Sequence, residues 1–110
     1  CHPSFQYDLK KYYPQSWNIF DKKNRQLTYK VSIQNLKKGI KEGCYRKEIN
    51  PEIISKIFSE KIDVIFNSLA FEAINVSFSD VYKELINHHV LGIVNEKGRK
   101  YYLNFQKTTK

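Results

Sequence analysis

NLKKGIKEGCYRKEINPEII, residues Asn35 to Ile54, ends one helix and starts another within about ten residues. Gly43 stands where a helix terminates in a left-handed residue, a conformation open to glycine because it has no Cβ to clash. Lys37, Lys38 and Lys41 occupy the turns before it, where cations complement the carbonyl end of the helix dipole. Asn50-Pro51-Glu52 then reads as N-cap, first-turn proline and favourable acid. Only the six residues CYRKEI lie between, so the two helices are expected to be near neighbours.

On the N-terminal side, Ser4 can cap a short helix, FQYDLKKYY, which Pro14 ends by removing a backbone donor and restricting Tyr13. From about Gln15 to Glu42 no proline intervenes, and no glycine before Gly39. Trp17, Phe20, Leu27 and Val31 form one apolar stripe, and Ile33, Leu36 and Ile40 continue a neighbouring one. Such a helix of roughly 28 residues would be about 42 Å long, with a bend or break expected near Lys22 to Arg25, where the stripe is weakest.

Beyond the corner, Pro51 to Leu69 carries Ile53, Ile54, Ile57, Phe58, Ile62, Ile65, Phe66 and Leu69 on a broad apolar face. AFEAINVSF reads as a loop, since it has no obvious partner strand. Ser79-Asp80 starts a last helix that Gly98 is expected to end near Lys97. Its apolar residues, Val81, Tyr82, Leu85, Ile86, His89, Val90, Ile93 and Val94, cover more than half the circumference. A helix that apolar implies an additional partner surface, most simply a second copy of the chain. The tail RKYYLNFQKTTK is expected to fray at its end.

Composition narrows the function classes. At 110 residues the chain is one domain, and 41% hydrophobic with 15% aromatic content is too apolar for a disordered chain. No apolar run approaches the roughly 18–20 residues of a membrane span. The chain contains no methionine, and no leader or lipidation motif stands at its start; a fragment of a longer protein is the expectation. Cys1 and Cys44 can form at most one intramolecular bridge, and neither belongs to a C-x-x-C pair. A reducing, cytosolic compartment is the simplest reading. The net charge of +8 is spread along the chain with acids beside the lysines, as in Lys41-Glu42 and Lys47-Glu48. That pattern reads as solvated helix faces before a phosphate-binding face or an acidic partner's site.

Chemistry has little to work with. His88 and His89 are adjacent, so on a helix they point about 100° apart and cannot easily share one metal. His2 stands alone, and no Gly-rich phosphate loop, H-E-x-x-H or nucleophile elbow is present. No metal, no cofactor and no catalysis are expected. His89 reads as a packed or interface histidine. Tyr7, Tyr12, Tyr13, Trp17, Phe20, Phe58 and Phe66 are a large aromatic stock, suited to core packing and also to lining an apolar cavity. Gly92 inside a helix, in VLGIV, would allow a second helix to cross at short range.

The run NLKKGIKEGCYRKEINPEIISKI, with the later HHVLGIVNEKGRK and the early DLKKYYPQSW, resembles the C-terminal domain of TetR-family transcriptional regulators. The shared features are a G-I-x-x-G-x-Y-R corner, an N-P-E-I-I restart and an H-x-x-G-I…K-G ending, over nearly the entire chain. The resemblance implies an all-α bundle of about four to five helices, a single ligand-binding and dimerisation domain over residues 1–110. It implies a bacterial, cytoplasmic homodimer whose last two helices pair across a two-fold axis, with Tyr82, Leu85, Ile86, His89, Gly92 and Ile93 as interface candidates. It also implies a pocket among the earlier helices for a small apolar or aromatic ligand, with Tyr7, Trp17, Phe20 and Phe58 as lining candidates. Operator DNA would be read by an N-terminal helix-turn-helix domain that this chain lacks. A free-standing helical interaction module or a basic nucleic-acid-binding protein is the alternative.

Overall fold

The computed structural model of the chain describes residues 1, 5, 8, 9, 25–67, 69 and 71–108. These residues are helical in four long elements: α1 (Arg25–Lys41), α2 (Pro51–Asn67), α3 (Phe78–Ile93) and α4 (Glu96–Thr108). A single 3-10 turn, Glu72–Ile74, lies between α2 and α3, inside the segment read as a loop. Phe5, Asp8 and Leu9 are helical as well. No strand occurs among the described residues, and an isolated antiparallel bridge joins Tyr45 to Val94.

The corner after α1 forms as its sequence dictates. Gly43 takes φ +78°, and Cys44 N donates back to Gly39 O at 2.8 Å, closing the helix end. Asn50 Oδ1 accepts from Glu52 N and Ile53 N at 3.0 and 3.1 Å, capping α2. The corner is then clamped to the junction of α3 and α4. Arg46 N donates to Ile93 O (2.9 Å) and Asn95 N donates to Cys44 O (3.0 Å). Asn95 Nδ2 donates to Gly43 O at 2.6 Å, and Arg46 Nε donates to Gly92 O at 3.1 Å. Tyr45, 1% exposed, fills the space behind, its hydroxyl accepting from Asn35 Nδ2 at 2.9 Å.

This clamp explains why the last helix is two helices. The sequence predicts one element from Ser79 to Lys97, but α3 ends at Ile93 and Val94 turns extended (φ −76°, ψ 147°) to bridge Tyr45. Asn95 restarts the chain, its Oδ1 accepting from Gly98 N at 2.9 Å. Gly98 is therefore no helix stop. It is buried in the first turn of α4, where a Cβ would overlap the Cys44 carbonyl. The expected frayed tail is helical through Thr108. Tyr102 OH and Gln106 Nε2 both donate to Asn87 Oδ1, at 3.2 and 2.9 Å, which pins α4 to α3.

α1 and α2 pack closely through small and polar side chains. Thr28, Ser32 and Asn35 of α1 are buried, as are Ser55 and Ser59 of α2, and Ser55 Oγ donates to Ser32 Oγ at 2.8 Å. Leu36 is fully buried, whereas Leu27 is 57% exposed. Leu27 therefore does not continue the core stripe predicted for it. Residues 10–24, which hold Trp17, Phe20 and the predicted break, lie outside the described residues. The core joins Phe5, Leu9, Leu36, Tyr45, Phe58 and Ile62 to Tyr82, Val90, Ile93 and Tyr102. Asp8 pairs with Lys38 Nζ at 2.8 Å.

Cys1 and Cys44 are joined by a disulfide with a Cα–Cα distance of 4.9 Å. Disulfides persist in oxidising compartments, and in the cytosol of mesophiles they are chiefly transient. The cysteines therefore give the expected reducing compartment no support. No described helix is long and apolar enough to cross a membrane.

Gly98→Ala should destabilise the fold by about 1–3 kcal/mol, because its methyl group meets backbone that is itself hydrogen-bonded. Gly92→Ala, whose Cβ would meet nothing within 4 Å, should be neutral or stabilising by up to about 1 kcal/mol. Urea denaturation of the two variants beside the wild type checks the contrast.

Candidate functional site

α2 and α3 share the buried Phe58, Tyr82 and His89 on their inner sides. Their outer sides are separated by a groove of about 810 Å³, within the size range of small-molecule sites. Its walls are apolar: Ile57, Val64 and Ile65 from α2, Val81 and Leu85 from α3. Phe71, Ile74 and Val76 close it from the segment between. Ile57, Val64, Ile74 and Val76 are between 44% and 58% exposed, a concentration of unburied aliphatic surface. The rim is mixed in charge, with Lys56 and Lys61 against Glu60, Asp80 and Glu84, and His88 beside them. Lys56 and Glu60 pair with each other at 3.5 Å. Among the described residues no serine, threonine or cysteine lines this groove, so the chemistry of those residues is that of a shaped apolar surface with polar handles.

His89 lies behind the groove. Its ring stacks on Phe58 at 4.0 Å between centroids and 21° between planes. Burial, with Lys61 and His88 adding positive charge nearby, holds its pKa down to about 3 from an ordinary 6.5. Burial likewise pushes Tyr82 up, so both side chains are neutral at physiological pH.

The predicted site residues divide into three groups. Tyr7, Trp17 and Phe20 lie outside the described residues, and Phe58 is buried in the core, 1% exposed, away from the groove lining. Tyr82, Leu85 and Ile93 belong to the chain's own core and His89 is buried beside them, with Leu85 also lining the groove; Ile86 is half-buried against that core. Gly92 is exposed, with open space where a side chain would be. Leu91, next to it on α3, and Leu103, on α4, are each 38% exposed and line one depression.

The groove was missed because its decisive residues sit in a stretch dismissed as connection. The available signal was the apolar character of AFEAINVSF, since loops that are merely solvated do not carry Phe71, Ile74 and Val76. Among the described residues, no three His, Cys, Asp or Glu side chains converge as a metal set would. A second depression, of about 790 Å³, lies over the corner and the start of α4, with Arg46, Lys47, Arg99 and Lys100 around it. Compared with the known protein families, with characterised proteins and with solved structures, the chain gives no match.

The depressed pKa of His89 fixes a pH dependence. Between about pH 6.5 and 3 the unfolded chain binds a proton there that the folded chain does not, so stability falls as pH falls. From pH 7 to 4.5 this one residue should cost about 2–3 kcal/mol. In His89→Leu that part of the acid sensitivity should disappear, as urea midpoints of both proteins at the two pH values would show.

Proposed function

We propose that the chain is the effector-sensing and dimerisation domain of a TetR-like DNA-binding transcriptional regulator, a repressor acting in the cytoplasm. The observation that carries this reading is the apolar groove between α2 and α3, with its charged rim. A small apolar or aromatic ligand with a polar end suits it: the body covers Ile57, Val64 and Val81, and the polar end meets Lys61, Glu84 or His88. The domain binds and transmits; it performs no catalysis and needs no cofactor or metal.

Transmission follows from how the groove is built. One wall is α3, and the C-terminal end of α3 is held by the corner through Arg46 and Asn95. A ligand that widens or narrows the groove moves α3 against that corner, and with it α1 and the N-terminal segment. In the proposed regulator this changes the spacing of two helix-turn-helix heads, supplied by sequence outside this chain. The shift can be no larger than the ligand's differential affinity for the two arrangements. Dimerisation is assigned to the outward sides of α3 and α4, where Leu91, Gly92 and Leu103 are unburied. The inward side chains Tyr82, His89 and Ile93 shape that surface from beneath.

Gly92→Arg separates assembly from folding, because a Cβ there meets nothing within 4 Å and the longer side chain starts from an exposed position. The wild-type chain should sediment as a dimer and Gly92→Arg as a folded monomer; a wild type that stays monomeric at high concentration counts heavily against the reading. An apolar fluorescent probe should bind saturably, and Val64→Lys, at a half-exposed position, should weaken it by more than tenfold. Salt-sensitive binding of DNA by this chain alone would instead favour a basic nucleic-acid-binding protein using Arg46, Lys47, Arg99 and Lys100.

A further inference from the structure

We propose that the Cys1–Cys44 bridge is a reversible thiol–disulfide exchange site, opened by glutathione-class thiols and closed by the corresponding disulfide, whose state sets how firmly the N-terminal segment holds the corner. The inference rests on the cytoplasmic-regulator reading, since a disulfide in that compartment is expected to be transient and redox-sensing. Three observations support it independently.

The first is accessibility. Cys44 is 0% exposed, whereas Cys1 is half-buried at the edge of the core. Attack at the fully buried Cys44 sulfur is closed off, so an incoming thiolate opens the bridge at the Cys1 sulfur. Attack forms a mixed disulfide on Cys1, breaks the Cys1–Cys44 bond and leaves the electron pair on the Cys44 sulfur, which takes up a proton. A second thiol attacks the mixed disulfide, frees Cys1 as a thiol and releases the oxidised small disulfide. Two electrons and two protons pass from two thiols to the bridge, and closure is the same sequence reversed.

The second is position. Cys44 belongs to the clamp: its carbonyl accepts from Asn95 N, and Gly98 approaches that carbonyl too closely for any side chain. The bridge joins this point to the start of a segment whose Phe5 and Leu9 are buried in the core. The third is redundancy. Phe5 meets Tyr45 edge to face at 5.5 Å, and Asp8 pairs with Lys38 at 2.8 Å, both next to the corner. The segment therefore keeps non-covalent holds when the bridge opens. Reduction loosens the N-terminal segment on the corner without dismantling the fold, which is the behaviour of a switch.

The test equilibrates the 110-residue chain in mixtures of reduced and oxidised glutathione, counts free thiols by alkylation and mass, and follows amide hydrogen exchange. The proposal expects interconversion within the range these mixtures span. In the bridged form the Arg46 and Asn95 amides should exchange at least about tenfold more slowly than in the dithiol form. Cys1→Ser should match the dithiol form in every mixture and should still fold, since it leaves the buried Cys44 in place. A bridge that stays intact in a large excess of reduced glutathione overturns the proposal, and so does reduction that leaves those two amides unchanged. Neither readout involves ligand, dimer or DNA, so failure here is separate from failure of the regulator reading, which the probe and sedimentation experiments decide.

Discussion

The hydrogen bonds between residues 43–46 and residues 92–95 hold the architecture together. Their acceptors are backbone carbonyls at helix ends, which have no partner within their own helices and must find one when buried; two of the donors are backbone amides and two are the Arg46 and Asn95 side chains. The end of α1 and the break between α3 and α4 satisfy each other, so one contact fixes the positions of three helices. Tyr45 fills the volume behind, and Gly39 and Gly98 are the openings that make room. A Cβ at Gly39 would overlap the Tyr45 ring, and one at Gly98 would overlap the Cys44 carbonyl. The corner thus depends on two glycines many residues apart, neither of which is there for a turn.

Once the corner is fixed, the rest of the packing follows from side-chain size. α1 approaches α2 closely because the small residues Thr28, Ser32, Ser55 and Ser59 are buried between them, with the Ser55 and Ser32 hydroxyls bonded across the seam. The seam is polar but not costly, because a hydroxyl pair such as Ser32–Ser55 replaces the water each would lose. α2 meets α3 differently, through the larger Phe58, His89 and Ile62, which hold the two helices apart. Large residues on the inside and exposed aliphatics on the outside leave the groove between α2 and α3.

Elements whose signals are local were legible in the sequence. The corner was, because Gly43, Asn50 and Pro51 act through their own backbone. The apolar character of α3 was, because Tyr82, Leu85, His89, Val90 and Ile93 recur at helical spacing, although the pattern alone did not separate a core face from the interface expected there. What the sequence hid were contacts between distant residues. Gly98 is indistinguishable from a helix stop until the Cys44 carbonyl is placed beside it. Val94 continues the apolar pattern of α3 and yet leaves the helix, because Tyr45 offers it a bridge. Leu27 fits an apolar stripe and faces solvent, because the true seam is small and polar, a pattern hydrophobic periodicity does not register. The groove escaped notice for the same reason, since a concavity belongs to several segments at once.

The groove and the disulfide lie on different parts of the chain, and under the proposed readings both would act on the corner. A ligand seated against Val81 and Leu85 would load α3, whose C-terminal end is tied to the corner by hydrogen bonds. A change at Cys1–Cys44 would load the same corner through the covalent link at Cys44. Two inputs that converge on one hydrogen-bonded contact are thermodynamically coupled, because each alters the free energy of the state the other selects. The coupling is reciprocal: if opening the bridge weakens binding in the groove, then a bound ligand must favour the closed bridge by the same factor. Under the proposed reading, the hydrogen bonds at Arg46 and Asn95 therefore carry the communication as well as the fold.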